Sequence, residues 1–244
     1  MKYIIILGDG MADYPIQSLG NKTPLEYANT PNIDLLAKKG RNGRLKTVPD
    51  DMPPGSEIAN MAVLGFDVKK VYEGRGVLEA ASMGVELNED DMALRCNLIC
   101  IENDIIKNHS AGHISNEEAH ELIKTLKEEL DDERVTFYPG VSYRHLLVIK
   151  NGKKHIKCTP PHDVPGNNYK DELVQPLRED TETAELINSL ILKSQEILKN
   201  HPVNKQRASE GKDQANSIWP WSPGYRPQMK TLQEQFGLSG AMIS

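Results

Sequence analysis

The chain has 244 residues, 38% of them apolar and 26% charged, and a net charge of −6. This is the composition of a globular protein with one large domain, or one domain carrying a smaller insert. The negative balance argues against broad binding to nucleic-acid phosphates, and no apolar run approaches the roughly 18–20 residues that a bilayer span requires.

The N-terminus has no signal-type apolar region, and the three cysteines, Cys96, Cys100 and Cys158, are an odd number. Both features fit a reduced, cytoplasmic protein. Cys96 and Cys100 have C-x3-C spacing, but no second pair completes a zinc site, and they read as small apolar residues of a packed strand.

Tyr3-Ile4-Ile5-Ile6-Leu7, closed by Gly8-Asp9-Gly10, reads as a central parallel strand. Ligands bind off the carboxyl ends of such strands, so Asp9 stands where a metal-binding carboxylate is useful; an Asp between glycines serves equally as a turn former. Thr30 and Pro31 open a helix as N-cap and first residue, with Ile33, Leu35 and Leu36 on its apolar side and Gly40 as its stop. Residues 44–48 read as a second strand and 49–55 as a loop. Pro53-Pro54-Gly55-Ser56 then puts a hydroxyl at the start of a helix running to about Leu64. A helix N-terminus favours negative charge, which suits a serine taking part in phosphoryl transfer; Ser56 also reads as a plain N-cap.

Further on, Ser115-Asn116-Glu117-Glu118 has capping-box spacing. Ala119, Leu122, Ile123, Leu126 and Leu130 follow with helical period. Residues 135–138 and 143–150 read as strands, and Asn151-Gly152 as a hairpin turn returning 154–158 as a partner strand. Ala184, Ile187, Leu190, Ile191, Ser194 and Leu198 predict one amphipathic helix from Asp180 to about Lys199. The proline-rich stretch 200–230, which holds both tryptophans, reads as a long loop. A short helix is expected over 231–236 and the start of a strand over 240–244.

Beyond these local readings, Gly8-Asp9-Gly10-Met11-Ala12-Asp13, Thr23-Pro24-Leu25-Glu26 and Thr30 through Gly40 resemble the opening of the alkaline phosphatase superfamily. Pro54 through Asp67, Gly74-Arg75-Gly76, Leu94 through Asn97, Tyr143-Arg144-His145 and Pro161 through Gly166 narrow the resemblance to the archaeal-type phosphoglycerate mutases independent of 2,3-bisphosphoglycerate. The resemblance implies an α/β fold, an alkaline-phosphatase-like parallel-sheet core, incomplete here, with an α+β insert domain. Residues 1–97 would be the first part of the core, 98–175 the insert that closes over substrate, and 176–244 a return helix, a loop and the start of the second part of the core.

The resemblance also implies an isomerase of glycolysis and gluconeogenesis that uses two divalent metal ions, Mn²⁺ first, with Mg²⁺, Co²⁺ or Zn²⁺ as alternatives, and no bisphosphoglycerate. Asp9 would be a metal ligand, and Ser56 both ligand and nucleophile, phosphorylated in turn by 3-phosphoglycerate and relieved by the 2-hydroxyl. Arg75, Arg95, Arg144, His145, His162 and Asp163 are the expected contacts to substrate, each with a structural alternative as a solvated or turn residue. His113 falls where a basic residue is expected.

Two metals need roughly eight ligand atoms, yet beyond Asp213 the chain has no Asp or His and only Glu234 as an acid. The expectation is therefore a C-terminally truncated chain, inactive as it stands. A sheet edge left open near Ser244 would invite pairing with a second copy. Two rivals stand beside the mutase: another phosphotransferase or phosphatase on the same core, such as a small-alcohol kinase, and a non-catalytic fragment.

Overall fold

The structure, a computed structural model, describes residues 2–178 and 181–243. It divides into two compact units, Met1–Tyr72 and Glu73–Ser244.

Among its described residues the first unit carries a 3-10 turn at Gln17–Leu19 and four short α-helices: α1 (Pro24–Tyr27), α2 (Pro31–Lys39), α3 (Ser56–Val63) and α4 (Val68–Val71). α1 starts with a capping box between Thr23 and Glu26. α2 has Pro31 in its first turn, and the Gly40 N–H closes it on the Leu36 carbonyl. The strands expected at 3–7 and 44–48 do not form. Residues 3–7 are 52–86% exposed, and Leu45 is 69% exposed. A buried parallel strand needs a neighbour on each side to satisfy its N–H and C=O groups, and the elements formed within this unit are helices. Ile33, Leu35 and Leu36 of α2 are likewise exposed, so its apolar side meets no core.

The second unit opens with α5 (Arg75–Ser82) and the long strand β1 (Asp91–Glu102), which runs through the domain boundary expected at 97/98. A tight turn with Asn103 and Asp104 both at positive φ leads to β2 (Ile105–Asn108). There follow α6 (Asn116–Leu130), β3 (Val135–Val141), β4 (Arg144–Lys150), β5 (Ile156–Lys157), β6 (Gln175–Pro176), α7 (Glu182–Lys199), α8 (Pro202–Ser209), β7 (Ser217–Gly224) and the short helix α9 (Leu232–Phe236). β1 pairs with β2, β4 and β7, and β4 also pairs with β3. All ladders among the described residues are antiparallel.

Strand alternation divides this sheet cleanly. Met92, Leu94, Cys96 and Leu98 of β1 face α6 and α7 in the main core, with Phe137, Leu147 and Ile149 beside them. α6 is set by its capping box, Ser115 accepting from the Glu118 N–H while the Glu118 carboxylate accepts from the Ser115 N–H. The opposite face carries Ala93, Leu146 and Val148 under α5 at one end, and Ile99, Trp219 and Trp221 with Val164 and Tyr169 at the other.

Three expectations are corrected in this unit. Residues 154–158 do not return along β4, because β1 and β3 already occupy both of its edges; β5 pairs instead with β6. The stretch 200–230 is not a long loop but contains α8 and β7. Its prolines misled because β7 pairs with β1 alone. The Ile218 N–H turns out of the ladder to Ser194 Oγ, 3.1 Å away, and Pro220, two residues on, lies on that same outer side, where no ladder donor is lost. Residues 240–243 form no strand. The helix start expected at Asp180 and the strand end at Ser244 fall outside the described residues.

The three cysteines are free thiols. Burial pushes Cys100 up to about 11 and Cys158 up to about 12, so both stay protonated, as packed structural cysteines do.

Candidate functional site

In the first unit, the turn after residues 3–7 and the start of α3 bring Asp9 and Ser56 together. Ser56 Oγ donates to Asp9 Oδ2 at 3.0 Å across 47 residues of sequence. Gly55, not Ser56, is the N-cap of α3, and it offers no side-chain cap. Ser56 is the first helical residue, and its hydroxyl is turned to Asp9 instead of to the helix backbone. That removes the plain N-cap reading. Gly10 at φ 71 makes the turn that carries Asp9.

The pair fits part of a metal shell. Two oxygens about 2.1 Å from an octahedral cation and at right angles to it lie about 3.0 Å apart, and a carboxylate with a hydroxyl is a hard donor set. Among the described residues no group of three or more His, Cys, Asp or Glu comes together, so the pair would supply only some of the ligands.

In the second unit, a basic strip fills the gap between the two apolar clusters on the outer face of the sheet. Arg95 and Asn97 alternate along β1, and Arg144 lies directly opposite Asn97 on β4. Trp221 stands opposite Arg95 on β7. Arg75 enters from the first turn of α5. The Gly74 N-cap at φ 130 lets the chain turn there, and a Cβ on Gly76 would lie 2.2 Å from the Ala93 carbonyl oxygen, so α5 can sit against β1 only with glycine at that position. Both the Arg75 and Arg95 guanidinium carbons approach the Trp221 ring, at 5.5 and 5.3 Å. The His162 ring meets Trp221 edge-on at 5.3 Å and His109 at 6.0 Å. Tyr143 gathers His109, His113 and Arg144 at 5.8, 6.3 and 6.0 Å.

The cations of this strip act on one another. Burial lowers the Arg95 pKa; Glu79 opposes the shift, while Arg75 and Arg144 add to it. Burial also lowers His109, with His162, His113 and Arg95 contributing. Arg95 Nε is buried with no hydrogen-bond partner. Such a group costs free energy until an acceptor reaches it. Asp163 sits beside His162, 3.6 Å from Nε2 to the carboxylate, with both side chains exposed.

The loop that presents His109 and His113 is held under backbone strain. Ala111 at φ 47 and His113 at φ 54 are left-handed, a conformation that non-glycine residues adopt mainly where surroundings enforce it. Those surroundings are Asn108 Oδ1, which accepts from Ser110 N and Gly112 N, Ser110 Oγ, which accepts from His113 N, and Arg207 Nη2, which donates to the Ala111 carbonyl at 2.6 Å.

Of the expected substrate contacts, Arg75, Arg95, Arg144 and His162 are brought together with Asp163 alongside. His145 is not. It follows Arg144 in sequence, so it points to the other side of β4, fully buried in the helix-covered core. Its Nδ1 accepts from the Gly140 N–H at 3.0 Å, and Nε2 has no partner. Burial, with the nearby His120 adding, pulls its pKa down to about 3. Below pH 6.5 the unfolded chain therefore takes up a proton that the folded chain refuses, and stability falls from pH 6.5 towards pH 3 by about 1.4 kcal/mol per pH unit from this residue. Urea unfolding at pH 7 and pH 5 should register that loss, and His145→Gln should flatten it.

Asn97, His109, Tyr143 and Trp221 were missed in the sequence. A period-2 reading of Ala93, Arg95 and Asn97 against Trp219 and Trp221 would have found three of the strip's members.

A family model described as 2,3-bisphosphoglycerate-independent phosphoglycerate mutase matches residues 37–204. The 2,3-bisphosphoglycerate-independent phosphoglycerate mutase of Methanosarcina acetivorans is 54% identical over all of this chain and 60% of its own length. That of Thermococcus kodakarensis is 39% identical with the same coverage. The solved cofactor-independent phosphoglycerate mutase of Thermoplasma acidophilum aligns with 93% of this chain and 60% of its own, at TM-score 0.56 and 29% identity. A solved Pyrococcus horikoshii protein aligns with 94% of this chain and 53% of its own, at TM-score 0.68 and 28% identity. The chain spans about 60% of the length of the curated relatives it matches. Its fold class is accordingly α/β, an incomplete alkaline-phosphatase-like core with an α+β insert, although no parallel ladder forms among the described residues. With more than half of its residues matched by the family model, the chain belongs to the 2,3-bisphosphoglycerate-independent phosphoglycerate mutase family.

Proposed function

We propose that the whole protein interconverts 3-phosphoglycerate and 2-phosphoglycerate through a phosphoserine at Ser56, as a cytoplasmic enzyme of glycolysis and gluconeogenesis. The observation that carries this reading is the Ser56 hydroxyl at a helix start, 3.0 Å from the Asp9 carboxylate.

The Ser56 hydroxyl loses its proton as Oγ forms a bond to the phosphorus and the bond from phosphorus to the glycerate C3 oxygen breaks, and that oxygen takes up a proton. The C2 hydroxyl then loses its proton and attacks the phosphoserine, and the released Oγ takes a proton back. Asp9 orients the serine hydroxyl, and the N-terminus of α3 favours the charge that gathers there. Bound divalent cations, Mn²⁺ foremost, would lower the hydroxyl pKa and neutralise the transferring oxygens. Asp9 and Ser56 would be two of their ligands, and the others are assigned to the part of the relatives' length that this chain does not span.

Arg75, Arg95 and Arg144 suit the carboxylate and phosphate of the substrate, since guanidinium groups bind both in bidentate fashion. His162 and Asp163 are assigned proton exchange with the glycerate hydroxyls. Residues 98–175 are the segment we assign to closing over substrate, and excluding water there would prevent hydrolysis of the phosphoserine.

The test is to incubate the full-length protein with 3-phosphoglycerate and Mn²⁺ after bisphosphoglycerate has been removed. Formation of 2-phosphoglycerate is the expected product. Free phosphate alone would instead favour a phosphatase on the same core.

A further inference from the structure

The basic strip is organised by a residue that is itself uncharged. Trp221 is 5% exposed. Its indole Nε1 donates to Asn97 Oδ1 at 3.1 Å, and Asn97 Nδ2 in turn donates to the His109 carbonyl at 3.0 Å. The ring is thus fixed at one end by a buried hydrogen-bond chain that reaches the strained loop. Its π-system is shared by the Arg75 and Arg95 guanidiniums, 5.5 and 5.3 Å away, and its rim by His162. Two neighbouring guanidiniums repel each other, and the negative face of an indole offsets part of that repulsion. Trp219, two residues earlier on the same face of β7, donates Nε1 to the Thr159 carbonyl at 2.9 Å and so anchors the loop that carries His162.

We propose that Trp221 is a positioning residue: it gathers Arg75, Arg95 and His162 into one anion-binding array, so that an anionic substrate meets cations already in place. Side-chain ordering that would otherwise oppose binding is completed beforehand. The proposal rests on the reading of the strip as the substrate site. It differs from that reading in assigning affinity to a residue that need not touch the substrate.

The test uses the full-length protein, with 3-phosphoglycerate titrated calorimetrically and KM and kcat measured in parallel. Trp221→Leu, which removes the ring, should raise Kd and KM about tenfold while kcat changes by less than about threefold. Trp221→Phe keeps an aromatic face and should restore Kd to within about threefold of wild type. A merely structural role would lower the melting temperature and the active fraction but leave Kd unmoved.

Trp221→Leu with wild-type Kd overturns the proposal, whatever its stability, and so does a weakened Kd that Phe does not restore. The mutase reading is judged separately, on 2-phosphoglycerate formed by the wild type. Binding without turnover would sink that reading while still deciding the role of Trp221. If wild type neither binds nor turns over 3-phosphoglycerate, both fall.

Discussion

Replacing Ser56 with alanine in the full-length protein should lower mutase turnover by at least about 10⁴-fold while leaving the fold intact. Ser56 is exposed at the first position of α3 and does not cap the helix backbone. Alanine is the best helix former and fits that position without strain, so the melting temperature should stay within about 2 °C. The variant should also fail to take up ³²P from labelled 3-phosphoglycerate, whereas the wild type should carry label on the peptide containing Ser56. Retained turnover, or label on a different residue, would remove Ser56 from the mechanism. The measurement separates chemistry from folding because the serine's hydroxyl contact is with Asp9, itself a surface residue of a turn and not part of a core.

The largest loss of stability is expected from Arg207→Met. Arg207 is 2% exposed, and its guanidinium joins three pieces of chain. Nη1 donates to Glu118 Oε2 at 2.6 Å, Nη2 to the Ala111 carbonyl at 2.6 Å and Nε to the Asp213 carbonyl at 2.8 Å. Methionine fills much of the volume but leaves the Ala111 and Asp213 carbonyls without the guanidinium donors and the Glu118 carboxylate without its cation, still held by the Ser115 N–H. Removing one partner of such a buried network costs roughly 3–5 kcal/mol, which for a unit of this size lowers the melting temperature by about 10 °C or more. Arg207→Lys keeps the charge but not the three-way fork, and should fall between the two. Calorimetry of the three proteins checks the order. The same substitution frees the Ala111 carbonyl, so the left-handed loop bearing His109 and His113 should relax, and amide exchange there should quicken more than in α6.

What could be read from the sequence follows the range of the forces involved. α6 was legible because its determinants are local: a Ser–Glu capping box and an apolar residue each turn. The Asp9–Ser56 pairing was legible from two independent local habits, a carboxylate after an apolar run and a hydroxyl at a helix start, and the motifs around them. The apolar run at 3–7 was misread as a formed strand because an extended segment becomes a strand only when other segments satisfy its backbone. β7 was hidden by prolines whose effect depends on which edge they face, a matter of register that no window of sequence contains. His145 was placed with Arg144 because they are adjacent, and strand alternation separates adjacent residues to opposite faces. Trp221 and Asn97 were missed for the complementary reason. They lie 124 residues apart in sequence and meet only through the β1–β7 ladder.

The outer margin of β7 has a consequence for how this protein behaves in concentrated solution. Where Ile218 gives its N–H to Ser194 and Pro220 has none to give, a passing extended peptide finds no row of donors with which to zip up. Cross-β growth is thereby blocked at that margin. In a refolding mixture the sheet-bearing unit would be spared there, and the bare isoleucines of residues 4–6 would be the segment through which copies begin to aggregate.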